Sequence, residues 1–338
     1  MSYFNNHNHS EYTNAMLGWP DSICKLEDLI QTAYDLGLYG ITITEHEGLA
    51  SHIKALKYYD NMEKDRPFKL ALGNEIYLLT NEEDAKARDP DNREYIPFYH
   101  FVLTALDTEG HHQIRQLSTR AWLRAYKGGW GYRRPTLYSD LEEIIKPNQG
   151  HVVASTACLG SRLDKMLLQE HEEGGGFNLA FEEVKRLQNI FGLDNLYLEI
   201  QPAKSTNTDQ SHVNLLMWEL HKRTGVPIIP TTDSHYLSKD TAFIHKVYLQ
   251  SQDGDREVDD FYATAYLMGE DELREYLRID FNDKQIDKML EWSVELGNRV
   301  GEYNIRRNPI IPQIPEDKIP DFTITHKYRE WYSRYPAF

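Results

Sequence analysis

Residues Tyr3-Phe4-Asn5-Asn6-His7-Asn8-His9-Ser10 read as a short strand that carries two histidines two positions apart. On extended backbone, positions i and i+2 share a face. Two imidazoles at the carboxyl end of a strand make a pair of metal ligands if partners stand nearby. A polar arm rich in Asn and His is the plain alternative, and the pair alone does not decide between the two. The strands that follow do.

Strand-like and helix-like stretches alternate outward from this segment. Residues 25–36 place Leu26, Leu29, Ile30, Ala33 and Leu36 at helical spacing, and Gly37 stops the run. Strands are predicted at 39–44, 69–77, 99–105, 151–156, 195–200 and 226–232, giving seven with the first. Helices are predicted near 50–64, 111–124, 139–145, 161–169, 179–191, 212–224, 239–250, 271–276 and 284–301, and loops at 80–97 and 128–131. Several strands are apolar on both faces, as buried parallel strands are. The alternation predicts an α/β fold with a mostly parallel sheet and crossover helices. Residues 1–308 are expected to form one domain, and 309–338, whose first half holds four prolines, a linker and tail.

The chain has 338 residues, 40% hydrophobic and 27% charged, as soluble globular proteins do. No apolar run approaches the roughly 20 residues that span a bilayer, and no secretory signal is visible. With only Cys24 and Cys158, a disulfide framework is not expected and a cytoplasmic setting is. The net charge of −16 argues against a protein that grips duplex DNA mainly by its phosphates.

Metal-capable side chains stand at or near the ends of six of the seven strands: His7 and His9, Glu45 and His46, Glu75, His100, Cys158, and Asp233 with His235. In a barrel of parallel strands these ends meet at one rim. Any one of them could be a cap or a satisfied core group. Their joint placement is hard to explain by chance.

The motifs His7-Asn8-His9-Ser10, Thr44-Glu45-His46, Gly73-Asn74-Glu75-Ile76-Tyr77, Tyr99-His100-Phe101, Ala157-Cys158-Leu159-Gly160 and Thr232-Asp233-Ser234-His235 resemble, in order, those of the polymerase and histidinol phosphatase (PHP) family. The resemblance is greatest to the N-terminal PHP module of bacterial and phage DNA polymerase III alpha subunits, and runs from about residue 3 to about residue 315. It implies a distorted, TIM-like (β/α)7 barrel with a C-terminal helical extension. It also implies up to three divalent metals (Zn, Mn or Fe) on His7, His9, Asp21, His46, Glu75, His100, Cys158, Asp233 and His235. Asp21 has an alternative role as the cap of the helix near Leu26. By the same resemblance the first metal takes His7, His9, Glu75 and Asp233, the second shares Glu75 and adds His100 and Cys158, and the third takes Asp21, His46 and His235. Glu75, Asp233 and His9 would carry the catalytic step. Glu45 stands where the family usually has Asp.

The implied activity is phosphodiester hydrolysis by metal-activated water, as a 3′–5′ exonuclease beside a replicative polymerase. Its partners would be a DNA single strand or 3′ end and palm and fingers domains or other replisome proteins, with no membrane involved. A structural PHP fragment and a small-molecule phosphatase of histidinol-phosphatase type are the alternatives. The paired aspartates of a polymerase palm are absent, so this chain is not expected to polymerise DNA. Between His111 and Ser139 no acidic residue occurs, and Arg120, Arg124, Arg133 and Arg134 alternate with Trp122, Tyr126 and Trp130. Such a block suits a single strand. The plain alternative is arginines that solvate a helix face over a Trp122–Tyr126 core.

Overall fold

The computed structural model describes residues 2–81, 98–128, 131–169, 176–204, 206–251 and 262–308. The chain divides into a large unit, Met1–Asn304, and a small one, Ile305–Phe338. The expected linker and tail at 309–338, and most of the loop at 80–97, lie outside the described residues.

The large unit runs β1 (Phe4–Asn5), α1 (Glu11–Leu17), α2 (Leu26–Asp35), β2 (Gly40–Ile43), α3 (His52–Asn61), β3 (Lys69–Leu79), β4 (Tyr99–Ala105) and α4 (Thr108–Leu123). It continues with β5 (Tyr126–Gly128), β6 (Gly131–Arg133), β7 (Pro135–Leu137), α5 (Tyr138–Ile144), β8 (Val152–Ser155), α6 (Arg162–Leu168) and α7 (Gly176–Phe191). Then come β9 (Leu196–Ile200), α8 (Thr208–Thr224), β10 (Ile228–Pro230), α9 (Ala242–Leu249), α10 (Glu270–Leu277) and α11 (Asp283–Arg299). Seven strands follow one another in the order β1-β2-β3-β4-β8-β9-β10, with β7 added to β3. The gap between β10 and β1 is bridged where His9 N–H donates to Ser234 O (2.9 Å) and Ser234 N–H to His7 O (3.3 Å). The fold is therefore α/β and nearly a closed barrel, as the alternation predicts.

Four differences from the sequence reading have local causes. β4 runs antiparallel to both neighbours, so the barrel is mixed and β4 offers its amino end to the rim. The expected loop at 128–131 is flanked by a hairpin of β5 and β6. α1 was not anticipated. Its seven residues are too few to show a period, yet the Ser10 side chain caps it and left-handed Gly18 ends it. α2 starts after Lys25 with no side-chain cap, so Asp21 is not its cap.

The barrel interior is polar. Asn6 Oδ1 accepts from Thr42 Oγ1 (2.8 Å) and Thr104 Oγ1 (2.9 Å). Asn5 Nδ2 donates to Asn8 Oδ1 (2.8 Å) and Thr232 Oγ1 (2.7 Å). Buried polar groups must be satisfied, and this network ties four strands together under the rim. The opposite end is apolar: Phe4, Ala71, Val153, Tyr197 and Ile229 pack on Leu296 of α11 and on Val300. Gly297 lets α11 approach, because a Cβ there would stand 2.8 Å from the Phe4 ring. Among the described residues no helix is long and apolar enough to cross a membrane.

Candidate metal centre

Each donor reaches the rim by a local device. His7 and His9 follow β1 and extend it, both fully buried. Glu75 lies within β3, and a bridge to His46 carries the β2 chain alongside it. His100 joins because β4 is reversed, which brings its second residue to the rim. Glu47 (φ 55°), Ala157 (φ 62°) and Asp233 (φ 45°) adopt left-handed backbone beside His46, beside Cys158 and at a donor itself. Such geometry costs a non-glycine residue on the order of 1–3 kcal/mol and clusters at functional sites.

The donors converge. Among the described residues, three groups have ligand atoms within 4.8 Å of one another: His7, His9 and Glu75; His46, Glu75 and His100; and His9, His46 and His235. Asp233 Oδ1 adjoins the first group, 3.3 Å from His7 Nε2 and 3.1 Å from His9 Nε2. Asp21 Oδ2 adjoins the third, 3.1 Å from His235 Nε2 and 3.4 Å from His46 Nε2. Glu75 reaches two groups, with Oε2 3.0 Å from both His9 Nε2 and His46 Nδ1 and Oε1 2.7 Å from His100 Nδ1. Cys158 Sγ lies 3.5 Å from His100 Nδ1. All nine sequence-predicted donors thus stand at one rim.

The chemistry of this cluster fits a divalent cation. His7 Nε2, His9 Nε2, His46 Nδ1, both Glu75 oxygens and Asp233 Oδ1 are buried and make no hydrogen bond. Leaving so many polar atoms without partners is expensive unless something else satisfies them. They point at each other across shared space, as ligand atoms do around an ion. Burial disfavours charge on each group, yet the groups offset one another. His235 and His46 hold Asp21 well below the usual carboxylate range, and His46, His100 and His7 do the same for Glu75. Glu75 and Asp21 push His46 up to about 10. Burial, with Asp233 and Glu75 nearby, pushes the Cys158 thiol well up. A cation would replace the imidazolium protons and favour the thiolate.

The surrounding shell includes a residue the sequence reading passed over. Glu199 stands on β9, the one strand without an assigned donor, and is 1% exposed. His7 Nδ1–H donates to its Oε1 at 2.6 Å, which leaves His7 Nε2 with a lone pair facing the site. Ser155 Oγ and Thr231 Oγ1 each donate to the same carboxylate at 2.6 Å. A single acid in the apolar run Leu196-Tyr197-Leu198-Glu199-Ile200 was the available signal. Glu45 does not touch a donor histidine. It accepts from Ser10 N (3.0 Å) and from the Ser10 hydroxyl, anchoring the segment that follows His9.

The arginine block is largely committed within the protein. Arg124 grips Asp140 through two bonds of 2.7 and 3.0 Å. Arg120 pairs with Asp140 (3.3 Å) and Glu143 (2.6 Å). Arg134 pairs with Glu47 (3.3 Å), donates to Met16 O (2.7 Å) and stacks 3.9 Å from the Trp122 ring. These contacts brace the rim, in place of the DNA contact expected for Arg120, Arg124 and Arg134. Trp130 and the Arg133 side chain lie outside the described residues.

A nearly closed, polar-lined barrel with clustered His, Asp and Glu at one rim defines a metal-site protein. The chain belongs to the PHP domain family, whose profile matches residues 5–203. It is 34% identical over 343 residues to a protein named probable DNA polymerase YorL of Bacillus subtilis (strain 168), covering 97% of this chain and 25% of that protein. It is 25% identical over 317 residues to the DNA polymerase III subunit alpha of Borreliella burgdorferi, covering 91% of this chain and 25% of that protein. The chain thus spans about a quarter of the length of these relatives. A histidinol phosphate phosphatase from Lactococcus lactis, solved with zinc, L-histidinol and phosphate, aligns with TM-score 0.37 and 15% identity over 75% of this chain and 94% of that one.

Proposed function

We propose that this chain is a metal-dependent phosphoesterase, a 3′–5′ exonuclease module that works on DNA beside replicative polymerase domains in the cytoplasm. The observation that carries the reading is the set of buried, unbonded ligand atoms on His7, His9, His46, Glu75 and Asp233. His7, His9, Glu75 and Asp233 would hold one ion, Glu75, His100 and Cys158 a second, and Asp21, His46 and His235 a third. The mixed N, O and S donors suit Zn, Mn or Fe better than Ca. Bound ions would supply water of lowered pKa and neutralise phosphoryl charge. The protein's own part is positioning: Glu199 orients His7, and the barrel's polar floor holds the strand ends rigid. Residues 1–308 form the catalytic unit and 309–338 lead toward the polymerase domains.

The test is elemental analysis with hydrolysis of a labelled single strand in Mn²⁺. Chelator-stripped protein should lose activity and regain it with metal, and His9→Ala should lose it throughout. Metal-free protein that cleaves nothing when Mn²⁺ is supplied would refute the reading. Turnover of L-histidinol phosphate in preference to DNA would replace it with the small-molecule phosphatase.

A further inference from the structure

One cleft adjoins the rim at the Asp21 side and is not used by the donors. It has a volume of about 330 Å³ and is lined by Lys204, Tyr236, Phe243, His245, Lys246 and Tyr262, among others. Its inner wall is the back of the metal centre. His245 Nε2–H donates to Asp21 O (2.7 Å), and the Tyr262 hydroxyl to Asp21 Oδ1 (3.4 Å). Tyr236 stacks on His245 at 4.9 Å, and Tyr262 stands edge-on to both His245 and His235 at 5.2 Å. The Tyr236 hydroxyl donates to Tyr262 O (2.8 Å) and fixes the two rings together. The wall is therefore rigid and aromatic.

The outer parts have different chemistry. Phe243 stands on α9 with 75% of its surface exposed, which is unusual for a phenylalanine with no stated partner in the fold. Lys246 is one helical turn further along α9, on the same side. Lys204 comes from the segment after β9 and is exposed. In a chain of net charge −16, two ammonium groups and an open aromatic face around one cleft select a particular ligand. It is an anion with a flat apolar part.

We propose that this cleft seats a nucleotide unit of single-stranded DNA, with its phosphate between Lys204 and Lys246 and its base against Phe243. Stacking on an aromatic ring beside cationic side chains is how single strands are held without reading their sequence. The cleft shares Asp21 with the rim, so a strand seated here leads directly to the donors. This rests on the phosphoesterase reading for its purpose, though not for its test.

The experiment is fluorescence anisotropy of a labelled oligothymidylate of about eight nucleotides, within the site sizes single-strand binders use. Metal is chelated, so binding is read whether or not the protein cleaves DNA. Phe243→Ala should weaken binding roughly tenfold or more. Lys204→Glu with Lys246→Glu should weaken it further and reduce the slope of log affinity against log salt by about 1.4, or about 0.7 per lost phosphate contact. Lys57→Glu on α3 carries the same charge change away from the cleft and should have little effect. Wild-type affinity in the cleft variants would overturn the proposal. So would an equal loss in Lys57→Glu, or wild-type protein that does not bind the oligonucleotide.

Discussion

Glu199→Gln separates positioning of a donor from the donor itself. The carboxylate is fully enclosed and accepts from His7, Ser155 and Thr231, each at 2.6 Å. Glutamine has the same shape but one acceptor oxygen and one NH₂ group. Oε1 receives both His7 and Thr231, so the amide oxygen should take that place and the NH₂ should face Ser155, whose hydroxyl can turn to accept. His7 then keeps its orientation but loses a charged partner. A hydrogen bond to a charged group contributes about 1.5–3 kcal/mol and a neutral one about 0.5–1.5. The difference, about 1 kcal/mol, corresponds to a five- to tenfold loss of affinity for the first metal. Glu199→Ala removes the partner altogether and should lose about a hundredfold. Calorimetric titration of stripped protein with Mn²⁺ measures both, and melting of the same metal-free samples checks that the Gln variant is folded. Wild-type metal affinity in both variants would refute the argument that Glu199 sets the His7 donor.

Two further predictions concern stability. His52 and His111 share a buried hydrogen bond of 3.0 Å, and burial holds their pKa values down to about 3 and about 4. The unfolded chain binds these protons near pH 6.5 and the folded chain does not, so stability falls as pH drops from about 6.5 toward 4, by a few kcal/mol in total. Urea midpoints at several pH values should show this, with a shallower fall in His111→Gln; an equal fall would count against it. Gly73→Ala would place a Cβ 2.5 Å from Leu103 O and under 3 Å from the Thr42 and Thr44 methyls. The strand backbone cannot yield there, so a loss of about 3 kcal/mol is expected by urea denaturation, and a loss below 1 kcal/mol would show that β3 moves freely.

The sequence by itself determined the alternation of strands and helices, because period and turn chemistry are local. It also determined which residue types stand near strand ends, and so all nine donors that meet at the rim. What it could not carry is direction and depth. The reversal of β4 depends on pairing with β3 and β8, residues far away in the chain, yet it alone brings His100 to the donors rather than to the opposite end. Glu199 looked like one acid in an apolar strand until His7, Ser155 and Thr231 were seen around it. Arg124 and Arg134 looked available for DNA until folding brought Asp140 and Glu47 against them. A side chain's chemistry is written in the sequence, but whether it faces solvent, an ion or another side chain is decided by which distant segments fill the space beside it.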